Sequence, residues 1–220
     1  MRTLTVISAG LGVPSTTRQV ADQIASATSA AVSARGENLQ IQVIELRELV
    51  NDLGRALTTG MSSPALDEAK ELVSASDGLI VATPVFKASY SGLFKTFFDV
   101  LDRDALNGMP VIIAATAGTA RHSLVLDYAI RPLLTYMRAF VVPTGVFAAT
   151  DDFGSEEGSL LDARVNRAAA ELADQMVASA SVGGLGGVTS AGQATRRLTG
   201  VDPAENLVPF SQLLRGHDGM

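Results

Sequence analysis

Apolar runs alternate along the chain with segments in which apolar residues recur every three or four positions. The apolar runs cover residues 4–8, 39–46, 78–83, 111–116 and 140–148. Helical spacing begins near residues 16, 63, 91, 123 and 160. This alternation is typical of βαβ units, so the pattern predicts one α/β domain built on a parallel sheet.

The hydrophobic patterns of two predicted strands indicate whether each strand is central or at the edge of the sheet. Residues 78–83 (GLIVAT) are apolar on both faces, as a central parallel strand requires, and we expect Pro84 to end that strand. In residues 39–46, Gln40 and Gln42 alternate with apolar side chains, which is typical of a partly exposed edge strand. The sequence therefore predicts a doubly wound, flavodoxin-like sheet of five parallel strands in the order 2-1-3-4-5.

The character of the sequence changes after the last helical segment, which covers residues 160–180. A glycine-rich run follows at positions 183, 184, 186 and 187. Such a run does not hold regular structure well. We therefore expect one domain over residues 1–181 and a glycine-rich C-terminal tail over residues 182–220.

Composition and charge narrow the class of protein. The 220-residue chain carries a formal net charge of −6 and has a pI of about 4.9, which argues against a nucleic-acid-binding protein. It has no cysteine, which excludes disulfides, thiolate catalysis and cysteine-ligated metals, and its two histidines lack metal-ligand spacing. No apolar run suits a signal peptide or a membrane span. We therefore expect a cytoplasmic protein that binds no metal, no nucleic acid and no membrane.

Ligands of open parallel sheets bind at the carboxyl ends of the strands, near the point where the strand order reverses. For the predicted order, the loops at that point follow the first, third and fourth strands. The first of these, residues 8–18 (SAGLGVPSTTR), is rich in small and hydroxyl residues and opens a helix, whose N-terminus attracts anions. Ser15, Thr16 and Thr17 are candidate phosphate ligands, and Arg18 could add a charge. The loop lacks a Walker A lysine and the third glycine of GxGxxG, so a plain capped βα loop is an open alternative.

The second loop, residues 83–92, places aromatic side chains directly after a buried strand. Phe86 and Tyr90 could lie against a flat ring, while backbone groups of the loop bond the polar edge of that ring. Alternatively, these aromatics belong to the core or to an interface, and Lys87 is a solvated charge.

The third loop, residues 116–122, would face the same crevice. Thr116, Gly118 and Thr119 are its candidate ligand contacts, and a simple turn capped by Thr119 is the alternative. We do not expect His122 to act as a general acid or base.

Two sequence segments that include these loops resemble a known protein family. Residues 82–102 (ATPVFKASYSGLFKTFFDVLD) and 116–134 (TAGTARHSLVLDYAIRPLL) resemble the NAD(P)H-dependent FMN reductase family. Their pattern is most similar to the flavin reductases of two-component alkanesulfonate monooxygenase systems, and the resemblance covers about residues 3–180. It implies that NADPH or NADH reduces FMN by hydride transfer to flavin N5, with no catalytic residue supplied by the protein. It also implies that reduced FMN passes to a luciferase-like monooxygenase.

The resemblance implies cofactor-binding roles at named positions. It places the FMN phosphate at Ser15, Thr16 and Thr17, beside Arg18. It places the isoalloxazine along Pro84, Val85, Phe86 and Lys87, and its far edge at Thr116, Gly118 and Thr119. Ser8 and Tyr90 complete the set of candidate contacts. Many relatives carry an arginine inside the first loop, whereas residues 10–14 here read GLGVP.

Three other functions remain open on the sequence. They are a flavodoxin-type electron carrier, a reductase of quinones, azo dyes or metal oxyanions with prosthetic FMN, and a non-enzymatic nucleotide-binding regulator. The absence of tryptophan and the 5% aromatic content disfavour the electron carrier, which usually has aromatic walls around the flavin.

The fourth helical segment, residues 123–137, suggests an assembly. Residues 124–130 are apolar almost all round, as in a helix buried on two sides, and predict a homo-oligomer, a tetramer by expectation. Pro132 predicts a kink or a local bulge. Tyr128 matches an interface tyrosine of the alkanesulfonate-system reductases. A core helix with an ordinary proline kink is the alternative.

Overall fold

A computed structural model describes residues 1–153 and 158–181 of the chain. The expected tail, residues 182–220, lies outside the described residues. In the described part, no helix is long and apolar enough to cross a membrane.

Strands and helices alternate over most of the described chain. The strands are β1 (Arg2–Ser8), β2 (Leu39–Glu45), β3 (Gly78–Phe86), β4 (Ser89–Tyr90), β5 (Pro110–Ala117), β6 (Phe140–Val141) and β7 (Val146–Ala149). The α-helices are α1 (Thr16–Ser33), α2 (Val50–Thr59), α3 (Pro64–Ser74), α4 (Gly92–Asp99), α5 (Arg131–Tyr136) and α6 (Gly158–Ser181). Short 3₁₀ turns cover Leu46–Leu49, Ala120–His122 and Thr150–Asp152, and a π-helix covers Leu126–Ile130.

The parallel sheet has the order β2-β1-β3-β5-β6, which confirms the predicted flavodoxin-like arrangement. β1 lies between β2 and β3, with Leu4 opposite both Ile41 and Gly78. The predicted fifth strand is divided in two, because β6 pairs with the start of β5 and β7 with its end. The break contains Pro143, which has no N–H to donate to a sheet ladder.

The expectation that Pro84 ends its strand is wrong. β3 continues through Pro84, which lies opposite Thr116, to Phe86. Proline lacks only the N–H donor, and its fixed φ suits an extended chain. Beyond Pro84, Val85 and Phe86 gain antiparallel partners in β4, so the strand leaves the parallel sheet as a hairpin.

Alternate side chains of the central strands enter two cores, one on each face of the sheet. Ile7 and Val81 pack on the face that also holds Phe94 of α4. Val6 and Ile80 pack on the opposite face, against α1 and α6. Because both faces are covered, a ligand approaches the sheet at the carboxyl edge of its strands.

Two helical segments depart from the simple alternation of one strand and one helix: the additional helix α2 and the π-helix before Pro132. α2 was not among the predicted helices, although Leu49 and Leu53 are spaced one helical turn apart and are buried. The predicted bulge before Pro132 is confirmed, since Leu126–Ile130 form a π-helix. Pro132 cannot donate to the carbonyl of Tyr128 and its ring would crowd that carbonyl, so the turn before it widens.

Candidate active site

The carboxyl ends of β1, β3 and β5 enclose an open cleft of about 360 Å³. Its walls come from the three loops that follow these strands and from the end of β7. The lining residues are Leu11, Gly12, Pro14, Ser15, Thr16, Thr17, Pro84, Val85, Phe86, Thr116, Ala117, Gly118 and Thr150. The cleft therefore lies at the switch point in strand order, between the helix N-terminus of α1 and the β3–β4 hairpin.

One end of the cleft is built from the β1–α1 loop and the first turn of α1. Ser15 caps the helix, because its Oγ accepts a hydrogen bond from the Arg18 N–H at 3.2 Å. The N–H groups of Thr16 and Thr17 have no acceptor within the helix, as is usual for a first turn. Two backbone donors and the positive end of the helix dipole are thus available to an anion at this end.

A glycine allows the loop to fold closely over its own cap. A Cβ atom on Gly10 would lie 2.0 Å from Ser15 Oγ, well inside contact distance. The loop could not keep this path with a larger residue at position 10 unless Ser15 moved. Gly10 is therefore required by the close approach of the loop to the N-cap.

Two threonines link the first loop to the third. Thr17 Oγ1 and Thr116 Oγ1 share a hydrogen bond of 2.7 Å, and both residues are buried. Thr17 belongs to α1 and Thr116 to β5, so this contact fixes the spacing of the two loops across the cleft. The Thr16 side chain is exposed and makes no hydrogen bond with the described residues.

The opposite wall is the β3–β4 hairpin, which presents an exposed aromatic ring. The Phe86 side chain lines the cleft and is 45% exposed. The two-residue turn after it places Lys87 and Ala88 at φ values of 51° and 65°. Positive φ at both central residues is the requirement of a type I′ turn, which normally carries Asn-Gly. The hairpin is thus held in a conformation that its own turn residues disfavour.

The described residues match a known family. A model of the family described as NADPH-dependent FMN reductase matches residues 2–154. The chain belongs to the NADPH-dependent FMN reductase family. The reductase is 39% identical over 150 residues to an FMN reductase (NADPH) of Pseudomonas aeruginosa, which covers 66% of this chain and 81% of the relative. It is 38% identical to the NADH-dependent FMN reductase SfnE of Pseudomonas putida, over 70% of this chain and 81% of the relative.

A solved structure resembles the reductase over most of its length. It is an oxidoreductase of Corynebacterium diphtheriae, 67% identical, with a TM-score of 0.79. The match covers 81% of the reductase and 98% of that chain. The family and its relatives show that this protein is an NAD(P)H-dependent FMN reductase, which uses FMN and a nicotinamide cofactor.

The structure brings most of the predicted site residues of the reductase to the cleft. Eight of the thirteen line it: Ser15, Thr16, Thr17, Pro84, Val85, Phe86, Thr116 and Gly118. Five others do not: Ser8, Arg18, Lys87, Tyr90 and Thr119. Thr150 was not predicted, because it reaches the cleft from the end of β7 and follows an apolar strand with no polar motif.

The residues outside the lining have other surroundings. Ser8 is buried, with its Oγ 3.4 Å from the Gly10 N–H, so it supports the loop from below. Tyr90 packs against Phe94 at a centroid distance of 5.6 Å and lines a separate groove. Lys87 and Thr119 are exposed. Ser8 and Tyr90 therefore support the structure around the cleft, and Lys87 and Thr119 lie on the surface outside its lining.

Arg18 is directed away from the cleft by two carboxylates. Its Nε lies 2.7 Å from Asp22 and its Nη1 lies 2.5 Å from Glu45. Burial acts to lower the pKa of Arg18, but the hydrogen bonds to Asp22 and Glu45 outweigh it and the pKa is raised. The guanidinium of Arg18 therefore stays charged and paired.

A second arginine, Arg47, was not predicted from the sequence. It donates a hydrogen bond from Nη1 to the carbonyl of Gly12 at 2.9 Å.

Among the described residues, no titratable side chain lines the cleft. His122 is exposed in the short turn after β5 and does not line the cleft. The lining residues are apolar, small or hydroxyl-bearing, and none of them titrates near neutral pH. The site can bind, orient and shield a ligand, and a bound redox cofactor must supply the electron chemistry.

Proposed function

We propose that FMN binds in this cleft with its phosphate at the first turn of α1 and its ring along the β3–β4 hairpin. The observation that carries this placement is the pairing of free first-turn N–H groups with an exposed aromatic wall in one cleft at the switch point. The hydroxyl groups of Ser15 and Thr16 add donors beside the Thr16 and Thr17 amides. Phe86 and Val85 give the flat surface that an isoalloxazine requires.

In this placement the protein contributes orientation. The bound flavin supplies an electrophilic N5 that accepts hydride from the nicotinamide. The hairpin holds one face of the ring. We call residues 8–18 the phosphate loop and residues 116–122 the ring-edge loop, after the parts of FMN that we place there. The Thr17–Thr116 hydrogen bond keeps these two loops at a fixed distance. Orienting two rings for transfer lowers the barrier by several kcal/mol in favourable cases, on the order of 7–11 kcal/mol at most.

We further propose that FMN is a substrate that the reductase releases after reduction and supplies to a luciferase-like monooxygenase. Among the described residues, the cleft lining contains no lysine or arginine, so the phosphate rests on neutral donors. Neutral hydrogen bonds contribute about 0.5–1.5 kcal/mol each, less than charged ones. Micromolar binding follows, near about −8 kcal/mol, which suits an enzyme that must let its product leave.

We also propose that the reductase is a homotetramer built partly on the π-helix. Tyr128 and Tyr136 are 79% and 77% exposed and line a groove of about 760 Å³ whose lining is mostly apolar and includes Lys95, Asp99 and Arg103. A mostly apolar groove that carries two exposed tyrosines is a candidate protein–protein contact. A second copy of the same face would cover the groove and form a dimer, and the proposed tetramer would pair two such dimers through a further surface.

The flavin content of the purified protein tests the release of FMN. We expect a nearly colourless preparation, and equilibrium dialysis against FMN should give a Kd of about 1–10 µM. A preparation that retains stoichiometric yellow flavin through dialysis would reject the proposal in favour of a prosthetic group.

A further inference from the structure

The phosphate end of the cleft has charged groups behind it rather than in its lining. Asp22 and Glu45 bind Arg18 on one side of the β1–α1 loop, and Arg47 holds the loop backbone at Gly12. The side chains of Arg18, Arg47 and Glu45 are partly shielded from water, with Glu45 only 13% exposed, whereas that of Asp22 is about half exposed. The charges of Arg18, Arg47 and Glu45 are therefore less screened than charges on an open surface.

The positive charge of Arg47 brings the net charge of this group of four side chains to zero. Asp22 and Glu45 together carry two negative charges, and Arg18 carries one positive charge. Without Arg47, this group would present a net negative charge to the loop and would repel a phosphate. The Arg47 Nε lies 3.9 Å from Glu45 Oε2, a buried oxygen that has no hydrogen-bond partner among the described residues.

Arg47 also has donors to spare at the rim of the loop. In the part of the chain that the structure describes, its hydrogen bond to Gly12 uses one of the five N–H groups that a guanidinium offers. Gly12 itself lines the cleft beside Ser15 and Thr16. The positive charge of Arg47 thus contacts the backbone of a residue that lines the end of the cleft where we place the phosphate.

We propose that Arg47 determines the specificity of the reductase for phosphorylated flavin over riboflavin, by cancelling the negative charge of the Asp22–Glu45 pair behind the phosphate loop. This proposal rests on the placement of the FMN phosphate at the first turn of α1. Its action is electrostatic, so it applies to a ligand that carries a phosphate and leaves a neutral ligand with the same ring unaffected.

Flavin titrations on a small set of variants test this role. Kd values for FMN and riboflavin are measured by flavin fluorescence at low ionic strength, where screening is weakest. Arg47→Met keeps the apolar stem and removes the charge, and should raise the Kd for FMN about tenfold while changing that for riboflavin less than about twofold. Arg47→Lys should retain most of the preference for FMN. Arg55→Met, an exposed arginine on α2, is the matched control and should change neither Kd.

A second substitution separates charge from loop support. Adding Asp22→Asn to Arg47→Met restores the charge balance without restoring the hydrogen bond to Gly12, and should recover most of the lost FMN affinity. Equal losses for FMN and riboflavin in Arg47→Met, or no recovery in the double variant, would overturn the proposal and leave a role in loop support alone. If the unmodified reductase does not prefer FMN to riboflavin, the phosphate placement itself is wrong, whereas FMN turnover would still stand.

Discussion

The three hydroxyl residues on which we place the FMN phosphate differ in the hydrogen bonds that their side chains already make. Ser15 caps α1, Thr17 is bonded to Thr116, and Thr16 is exposed and has no described partner. A sequence pattern treats the three alike, because it shows hydroxyl residues at the start of a helix and nothing of their orientation. Thr16 is therefore the side chain that is most available to a ligand, and Thr17 is the one that holds the two loops together.

Replacing both threonines should weaken FMN binding without unfolding the domain. In the double variant Thr16→Val, Thr17→Val, one hydroxyl donor to the phosphate is lost and the contact with Thr116 is broken. We expect a loss of about 1–3 kcal/mol in FMN binding, measured by fluorescence titration. Riboflavin is the control ligand, since its affinity should fall much less. Unchanged FMN affinity in a folded double variant would reject the phosphate assignment.

Other site residues could not be found from the sequence for a physical reason. Arg47 lies in the 3₁₀ turn after β2 and Thr150 in the 3₁₀ turn after β7, so the sheet brings them to the loop and the cleft and no local motif marks them. Arg18 was a reasonable phosphate ligand by position, yet its guanidinium is directed to Asp22 and Glu45. Spacing along a chain does not show which of two opposite charges a side chain will bind.

At the scale of elements, the β3–β4 hairpin carries strain next to the site. Lys87 and Ala88 both adopt positive φ, which costs a residue with a Cβ on the order of 1–2 kcal/mol. Strain of this kind persists where the surrounding structure fixes the backbone. Here the β3–β4 pairing and the bond from the Ser91 N–H to Thr83 Oγ1 fix both ends of the hairpin. The turn thereby holds Phe86 against the cleft.

A glycine in this turn should stabilise the protein. Ala88→Gly removes the crowding of Cβ at positive φ, and we expect the free energy of unfolding to rise by about 0.5–1 kcal/mol in denaturant titrations. The matched control is Ala163→Gly, at an exposed position inside α6, which should lower it by about 0.5–1 kcal/mol. A decrease for Ala88→Gly would show that the turn is not strained.

The elements themselves were predicted to very different degrees. The central strands followed from their apolar runs, since a buried parallel strand leaves a clear pattern. The extension of β3 past Pro84 was missed because it depends on a pairing partner, β4, of only two residues. A kink or local bulge was predicted from Pro132, whose missing N–H acts locally, and the structure shows it as a π-helix.

At the scale of the whole molecule, the groove beside the π-helix bears on assembly. Tyr128 projects from the π-helix, and Pro132 and Leu133 lie one turn further along the same groove. Tyr128 lies on the π-helix and is 79% exposed, so a single copy of the chain buries little of its ring. We therefore assign this face to subunit contact in the proposed tetramer.

Truncating Tyr128 should weaken the assembly. Sedimentation velocity at micromolar concentration should show a tetramer for the unmodified protein and smaller species for Tyr128→Ala, because a central aromatic side chain often contributes about 2 kcal/mol or more at an interface. Leu57→Ala, an exposed apolar residue on α2 away from the groove, should leave the assembly intact. A monomeric unmodified protein would refute the oligomer, and an intact Tyr128→Ala assembly would remove Tyr128 from it.

The sheet order, the position of the cleft and the family all follow from patterns that span the chain. The proposed use of FMN as a transient substrate leaves no pattern in the sequence, since affinity depends on small differences among many contacts.

The most direct test of this account is the rate of NADPH and NADH oxidation as FMN is added to the purified reductase. We expect little oxidation without flavin and a rate that rises with FMN and saturates near micromolar concentrations. Rapid oxidation with quinones or dyes and no dependence on added FMN would contradict the account and indicate a prosthetic flavin.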